Sequence, residues 1–289
     1  MAILIDKNSR VVVQGITGKA GRFHTKMMLE CGTKVVAGVS PGKGGEVVGL
    51  VPVYDTVEEA VKEQGANVSV LFLPAAAVLE ATIEAITAGV KLVVVVPEHI
   101  PLHDMLRIRK FAHQYGARVI GGNTAGVISP GEANVGIMPE MAFKKGIIGT
   151  VSRSGSMTYY VADTLTRSGL GESTCVGLGG DPVLGSTFAE ILPLFEKDPE
   201  TKGIVLVGEI GGIYEEQAAS VIKQMTKPVV ALIGGKYAPS GKRMGHAGAI
   251  IEGDMGTAES KIKALKSAGA YVVEKFSQIP EVFKNLLLF

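Results

Sequence analysis

Short apolar runs alternate with longer amphipathic segments along this chain. Residues 11–13, 35–39, 68–73, 92–96 and 119–120 are rich in β-branched side chains, and most end at Gly or Pro. They predict buried strands. Between them, residues 19–30, 57–64, 78–88 and 104–115 predict helices. Such alternation predicts a parallel sheet covered by helices on both faces. The pattern pauses over 121–139, GGNTAGVISPGEANVGIMP, which is rich in Gly and Pro and lacks a clear period. It restarts with strands at 147–151, 176–178, 203–207, 229–233 and 271–273. Helices follow at 156–167, 187–195, 214–224, 257–267 and 279–287. The expectation is an α/β fold of two consecutive doubly wound parallel-sheet domains, 1–122 and 123–289.

Composition narrows the function classes. Of 289 residues, 38 are glycine, about twice average usage. They follow no three-residue period, which excludes collagen. A hydrophobic share of 46% with 20% charged residues excludes disorder. The net charge of +1 provides no basic excess for nucleic acid or a membrane surface. Cys31 and Cys175 lie far apart, which fits a reducing compartment and no disulfide scaffold. The start, MAILIDKNSR, has no hydrophobic signal core, and the apolar runs are too short to span a bilayer. A cytoplasmic location is expected, or a mitochondrial matrix in a eukaryote.

The first candidate chemistry is the loop QGITGKAGRFH, where Gly15, Gly18 and Gly21 stand between a strand and a helix. Glycines there allow a sharp turn and close approach to phosphate, and the helix N-terminus supplies amides and partial positive charge. Thr17 adds a hydroxyl. A tight βα turn without ligand has the same pattern. The next strand discriminates between ligands. A NAD site places Asp or Glu about 20 residues on; here the residue in reach is Lys43. That disfavours NAD and favours a phosphate-rich ligand such as CoA or NADP, unless Lys43 is a solvated loop lysine.

The second is His246 in GKRMGHAGAII, flanked by Gly245 and Gly248. Glycine on both sides exposes the ring, and a neutral imidazole is a competent nucleophile near neutral pH. Lys242 and Arg243 stand ready for an anion. Two sites could serve this histidine. Ser154, Gly155 and Ser156 open a helix after a strand, a second anion site. Glu209 ends the strand GIVLVGE, where it either fixes the imidazole tautomer or caps the next helix. His99 and His103 are read as structural, because Pro101 lies between them and no third ligand is evident.

Together these motifs resemble the α subunits of the succinyl-CoA synthetase (succinate–CoA ligase) family, from end to end. The segments that carry the resemblance are QGITGKAGRFH, GVSPGKGG, VSRSGSMTY, GLGGDPVLGS, FEKDPETKGIVLVGEIGG and GKRMGHAGAII. The resemblance implies a Rossmann-like CoA-binding domain followed by a flavodoxin-like ligase domain. It implies nucleotide-driven, reversible formation of succinyl-CoA through an acyl phosphate and a phosphohistidine. His246 would be the nucleophile and Glu209 its carboxylate partner, with Ser154 and Gly155 cradling the phosphoryl group and Tyr159 contacting substrate. Thr17, Gly18, Lys19, Ala20, Lys43, Val96, Pro97 and Glu98 fall where the family holds CoA. No metal site is implied in this chain.

Two segments depart from the family pattern. VVPEHIP stands where ITEGIP is usual, with Pro97 and His99; GGNTAG stands where GPNCPG is usual, with Thr124 and Ala125. Related ligases for malate or citrate share the architecture. No G-x-x-x-x-G-K-[ST] loop occurs, so ATP or GTP would bind another chain. The resemblance implies that this other chain is an ATP-grasp β subunit, which would also take Mg²⁺, in an αβ or (αβ)₂ assembly. Two other function classes compete: a nicotinamide dehydrogenase, opposed by the missing ribose carboxylate, and a non-catalytic CoA-binding protein.

Overall fold

The computed structural model describes residues 2–239, 241–251 and 256–287. The chain divides into two units. One comprises Leu4–Met138 with Val183–Ser186; the other comprises Met1–Ile3, Pro139–Pro182 and Thr187–Phe289.

In the first unit, β1 (Arg10–Gln14), β2 (Lys34–Val39), the short β3 (Val47–Val48), β4 (Val51–Tyr54), β5 (Val68–Leu71), β6 (Leu92–Val95) and β7 (Arg118–Gly121) form a sheet ordered β3-β4-β2-β1-β5-β6-β7. All neighbours run parallel except the β3–β4 pair. Helices α1 (Lys19–Glu30), α2 (Val57–Gln64), α3 (Val78–Thr87) and α4 (Leu102–Gln114) connect the strands. The bounds of α1 and α2 agree with periodicity because local signals stop them. Thr56 and Glu59 form a reciprocal capping box at the start of α2, and Gly65 ends it at φ +60°.

The segment 121–139 is not featureless. It holds an antiparallel hairpin, β8 (Gly126–Ser129) and β9 (Ala133–Gly136), turning through Gly131 at φ +77°. All eight strand residues are buried, so the alternation that marks a half-exposed hairpin is missing. The Thr33 hydroxyl donates to the Asn134 carbonyl at 2.9 Å and accepts from the Asn134 amide at 2.8 Å, joining the hairpin to the first unit. The compact units accordingly part after Met138, whereas the punctuation in the sequence suggested 122/123.

In the second unit, β10 (Lys145–Ser152), β11 (Glu172–Gly177), β12 (Gly203–Glu209), β13 (Val229–Gly234) and β14 (Tyr271–Val273) are parallel in the order β14-β13-β12-β10-β11. Helices α5 (Gly155–Arg167), α6 (Phe188–Lys197), α7 (Tyr214–Ile222), α8 (Ala258–Ser267) and α9 (Gln278–Leu287) surround them. Ile148, Val161, Leu165, Val205, Val207, Val230, Ile279 and Phe283 pack in one core. Strand β11 begins four residues before its apolar run. Its start, Glu-Ser-Thr-Cys, is polar yet buried, and part of its polar surface is paired: Thr150 donates to Glu172 Oε1 at 2.6 Å and Ser173 pairs with Thr201 at 2.7 Å, while Glu172 Oε2 finds no hydrogen-bond partner among the described residues.

Glu172 is fully buried, and burial pushes its carboxyl up to about 8, against the opposing Thr150 hydrogen bond. A raised folded-state value means that the native protein keeps a proton the unfolded chain releases. The stabilisation is complete below the unfolded value and is lost as pH rises through about 8. Glu172→Gln should therefore gain about 2–3 kcal/mol relative to wild type between pH 6 and 9. Paired thermal melts at the two pH values check this; parallel pH dependence for both proteins would refute it.

Candidate active site

In the second unit the chain turns from β10 to β11 on one side and to β12 on the other, so β10 lies at the topological switch point. The loops beyond the carboxyl ends of β10 and β11 supply Arg153, Gly180 and Asp181, and the last residue of β12 is Glu209. The long connection from β13 to α8 carries His246.

The His246 Nδ1 lies 2.8 Å from Glu209 Oε2. A carboxylate at that nitrogen favours the tautomer with Nδ1–H donating, which leaves the Nε2 lone pair available. The Glu209 hydrogen bond raises the imidazole above its ordinary value. Burial opposes this, the Glu209 charge and Asp181 add to it, and Arg153 lowers it. The ring retains 26% exposure, so it can be reached from outside.

Glycines seat the ring. A Cβ on Gly180 would stand 2.3 Å from His246 Cγ and 2.6 Å from Nδ1. The His246 loop folds back through hydrogen bonds from Gly248 N–H to Gly180 O at 2.9 Å and from Ala249 N–H to His246 O at 3.1 Å. Of the two glycines flanking His246, only Gly245 needs positive φ, at +89°. Gly248 is instead required by closeness, for a Cβ there would meet Arg153 Nη2 at 2.7 Å.

Behind Glu209 lies a buried chain of charges. Arg153 Nη2 is 3.2 Å from Glu209 Oε1, and its Nη1 is 3.9 Å from Glu215 Oε1. Glu215 pairs with fully buried Lys261, which also donates to Gly212 O at 3.1 Å and lies 3.3 Å from Glu216. Removing one partner from a buried pair costs on the order of 3–5 kcal/mol, so Lys261 and Glu215 anchor the floor of the site. Arg153, Gly180, Asp181, Glu215 and Lys261 received no role from sequence. The signal for them is their place one to four residues past a strand end or in a helix facing it.

Ser154 caps α5, its hydroxyl accepting from the Met157 amide at 3.3 Å. The Ser154 N–H already donates to Ser152 Oγ at 3.1 Å. What faces outward is therefore the start of α5 from Gly155 and the exposed Ser156. Tyr159 stands further along α5, edge-on to Phe143 at 6.5 Å, its hydroxyl pushed up by burial and then by Cys175.

The first unit has its own switch point, between β1 and β5. A cleft of about 460 Å³ opens there, lined by Gln14, Gly15, Val39, Pro41, Leu73 and Glu80 among others. The glycine loop borders it. Gly15 turns at φ +81°, and a Cβ on Gly21 would stand 2.2 Å from Gly15 O. Gly18 has no side chain to cap α1, and no acidic residue lies in the first turn. Lys19 and Ala20 are exposed on that turn. This arrangement fits a phosphate. The Thr17 hydroxyl donates to Ser40 Oγ at 3.0 Å. Lys43 follows in the turn begun by Ser40, with its N–H 3.0 Å from Asp55 Oδ1. Val96, Pro97 and Glu98 continue from β6, at the same edge of the sheet; Pro97 O accepts from Asn123 N–H at 2.7 Å. His99, at φ +63°, lies 3.5 Å from Glu98. Among the described residues, no cluster of three or more His, Cys, Asp and Glu could hold a metal ion, and no helix is long and apolar enough to cross a membrane.

Comparison with known proteins agrees with both halves. A model of the CoA binding domain matches residues 6–99, and one of CoA-ligase matches residues 151–271. Over 287 residues the chain is 56% identical to ADP-forming succinate–CoA ligase subunit alpha 2 of Archaeoglobus fulgidus, covering 99% of this chain and 100% of the relative. The chain belongs to the succinate–CoA ligase α-subunit family. The alpha subunit of Aquifex aeolicus is 54% identical over 290 residues, covering 99% and 95%. Among solved structures, ATP citrate lyase from Methanothrix soehngenii, in complex with citrate and coenzyme A, matches with a TM-score of 0.88 at 26% identity. That match covers 99% of this chain and 51% of the lyase, so this chain spans about half its length. A dinucleotide-forming acetyl-coenzyme A synthetase from Ca. Korarchaeum cryptofilum shares the fold, with a TM-score of 0.74 at 21% identity, covering 97% of this chain and 61% of that one.

Proposed function

We propose that this chain is the α subunit of a reversible acid–CoA ligase that forms succinyl-CoA, with His246 carrying the phosphoryl group between nucleotide and acid. The observation that carries the reading is the His246–Glu209 contact at 2.8 Å, in a chain that belongs to the ligase family. Glu209 holds Nδ1–H, and Nε2 attacks phosphorus as the P–O bond to the departing nucleoside diphosphate breaks. The acid's carboxylate then takes the phosphoryl group from Nε2, giving an acyl phosphate. Its carbonyl accepts the CoA sulfur and releases inorganic phosphate. The start of α5 at Gly155, which Ser154 shapes by capping the helix, is the cradle proposed for the transferring phosphoryl group, and Tyr159 the contact for the acid.

CoA is assigned to Thr17, Gly18, Lys19, Ala20 and Lys43, with Val96, Pro97 and Glu98 beside its thiol arm. The nucleotide and Mg²⁺ are assigned to a partner β subunit of ATP-grasp type in an αβ or (αβ)₂ assembly, a reading supported by the α-subunit family of this chain and by its lack of a P-loop motif. The departures at Pro97, His99, Thr124 and Ala125 make the acid the part of the reading most in need of a direct assay. Co-expression with the partner, followed by thioester formation from succinate, malate and citrate with ATP or GTP, supplies it. Succinate should give the highest kcat/KM. Equal or greater turnover of another acid would reassign the substrate, and no turnover of any would reject ligase activity.

Lys43 gives a separate test of the CoA assignment. Lys43→Glu should weaken CoA binding about tenfold or more, as expected for a lost charge-assisted contact. Dephospho-CoA should suffer less. Equal losses for the two ligands in a titration would remove the 3′-phosphate as the partner of Lys43.

A further inference from the structure

We infer that Arg153 is a positioning residue for His246, its buried guanidinium holding the Glu209 carboxylate in place and offsetting part of its charge. This rests on the reading of His246 as the phosphoryl acceptor.

The geometry is specific. The Arg153 side chain is 1% exposed. It reaches Glu209 Oε1 at 3.2 Å while His246 holds Oε2 at 2.8 Å, so the two oxygens are divided between two partners. Nη1 donates to Gly211 O at 3.3 Å, just beyond Glu209. The guanidinium lies 5.6 Å over the Tyr214 ring and packs against Gly248, two residues after His246. Arg153 thus touches the carboxylate, the turn that carries it and the backbone of the histidine loop. A planar, always-charged fork can do all three at once; a lysine ammonium cannot.

The charge balance gives the contact a function. His246, Glu209, Arg153, Glu215, Lys261 and Glu216 form a line in which the charged side chains beyond the ring alternate in sign. The groups that bear on the ring are Glu209 from the end of β12, Arg153 from the end of β10, Asp181 after β11, and Glu215 on α7 acting through Arg153. Lys242 and Arg243 lie exposed on the ring's own loop. A carboxylate facing an imidazole alone would favour imidazolium, which has no lone pair with which to attack phosphorus. Arg153 draws on the same carboxylate and opposes that protonation, while still holding it in line with Nδ1.

The complex co-expressed with its partner, carrying ¹³C-labelled histidine, tests this in two ways. His246 titration is followed by NMR, assigned by difference from His246→Asn, and labelling from γ-³²P ATP or GTP with Mg²⁺ is timed, both from roughly pH 5 to 9. In Arg153→Met, the His246 midpoint and the acid limb of labelling should both rise by about one pH unit. Arg153→Lys should keep the midpoint near wild type but slow labelling about tenfold through looser positioning. An unmoved midpoint in Arg153→Met, with only a lower melting temperature, would overturn the inference and leave Arg153 structural. Should Arg153→Met fail to assemble, Arg153→Lys decides, because a wild-type labelling rate there refutes positioning. An unlabelled wild type with a shifted midpoint in Arg153→Met would refute the phosphohistidine reading while leaving the Arg153–His246 coupling intact.

Discussion

His246→Ala, co-expressed with its partner, should take up no acid-labile, base-stable phosphate from labelled nucleotide and should lose thioester formation by at least about 10³-fold. Glu209 and Ser154 are poorly placed to take over. Glu209 is already paired with Arg153, and Ser154 is buried and spends its hydroxyl capping α5. The loss should be chemical rather than structural. The ring is 26% exposed and its polar contact among the described residues is to Glu209, so the melting temperature should stay close to wild type. Phosphate retained at wild-type stoichiometry in His246→Ala would put the acceptor elsewhere.

Gly180→Ala should lower turnover about 10²-fold, the scale expected when a reacting group is displaced by about 1 Å. Its backbone is not in the left-handed region, so alanine meets no conformational penalty there. The whole effect comes from the added methyl, which would stand 2.3 Å from His246 Cγ and 2.6 Å from Nδ1. The ring must swing out and give up Glu209, and its partial exposure gives it somewhere to go. Labelling kinetics with a melting curve check this. A slowed rate with near-normal stability is expected; wild-type labelling would show that the ring is not held against Gly180 in the working enzyme.

Some of this architecture was legible because local chemistry specifies it. The bounds of α1 and α2 follow from glycine turns and a capping box. The central strands are β-branched runs buried on both faces. The hairpin β8–β9 and the start of β11 were not legible. Both are buried on both faces, so neither alternates, and the polar start of β11 has no apolar run to mark it. Gly18 and His246 stood out through their flanking glycines. Arg153 and Lys261 did not, because a lone cation in a sequence looks the same whether it ends in water or against a carboxylate far along the chain.

The sequence by itself determined the α/β alternation, the glycine loop, the histidine between glycines and the family, for these depend on neighbours within a few residues or on order along the chain. Only the tertiary structure decided which groups meet. Glu209 and His246 are 37 positions apart, and Arg153 and Glu209 are 56 apart. They come together because parallel strands β10 and β12 are adjacent and deliver their carboxyl ends to one edge. Strand order follows from how helices cover the sheet and bury its faces, and no local pattern encodes that. The charge line behind His246 is a consequence of that packing.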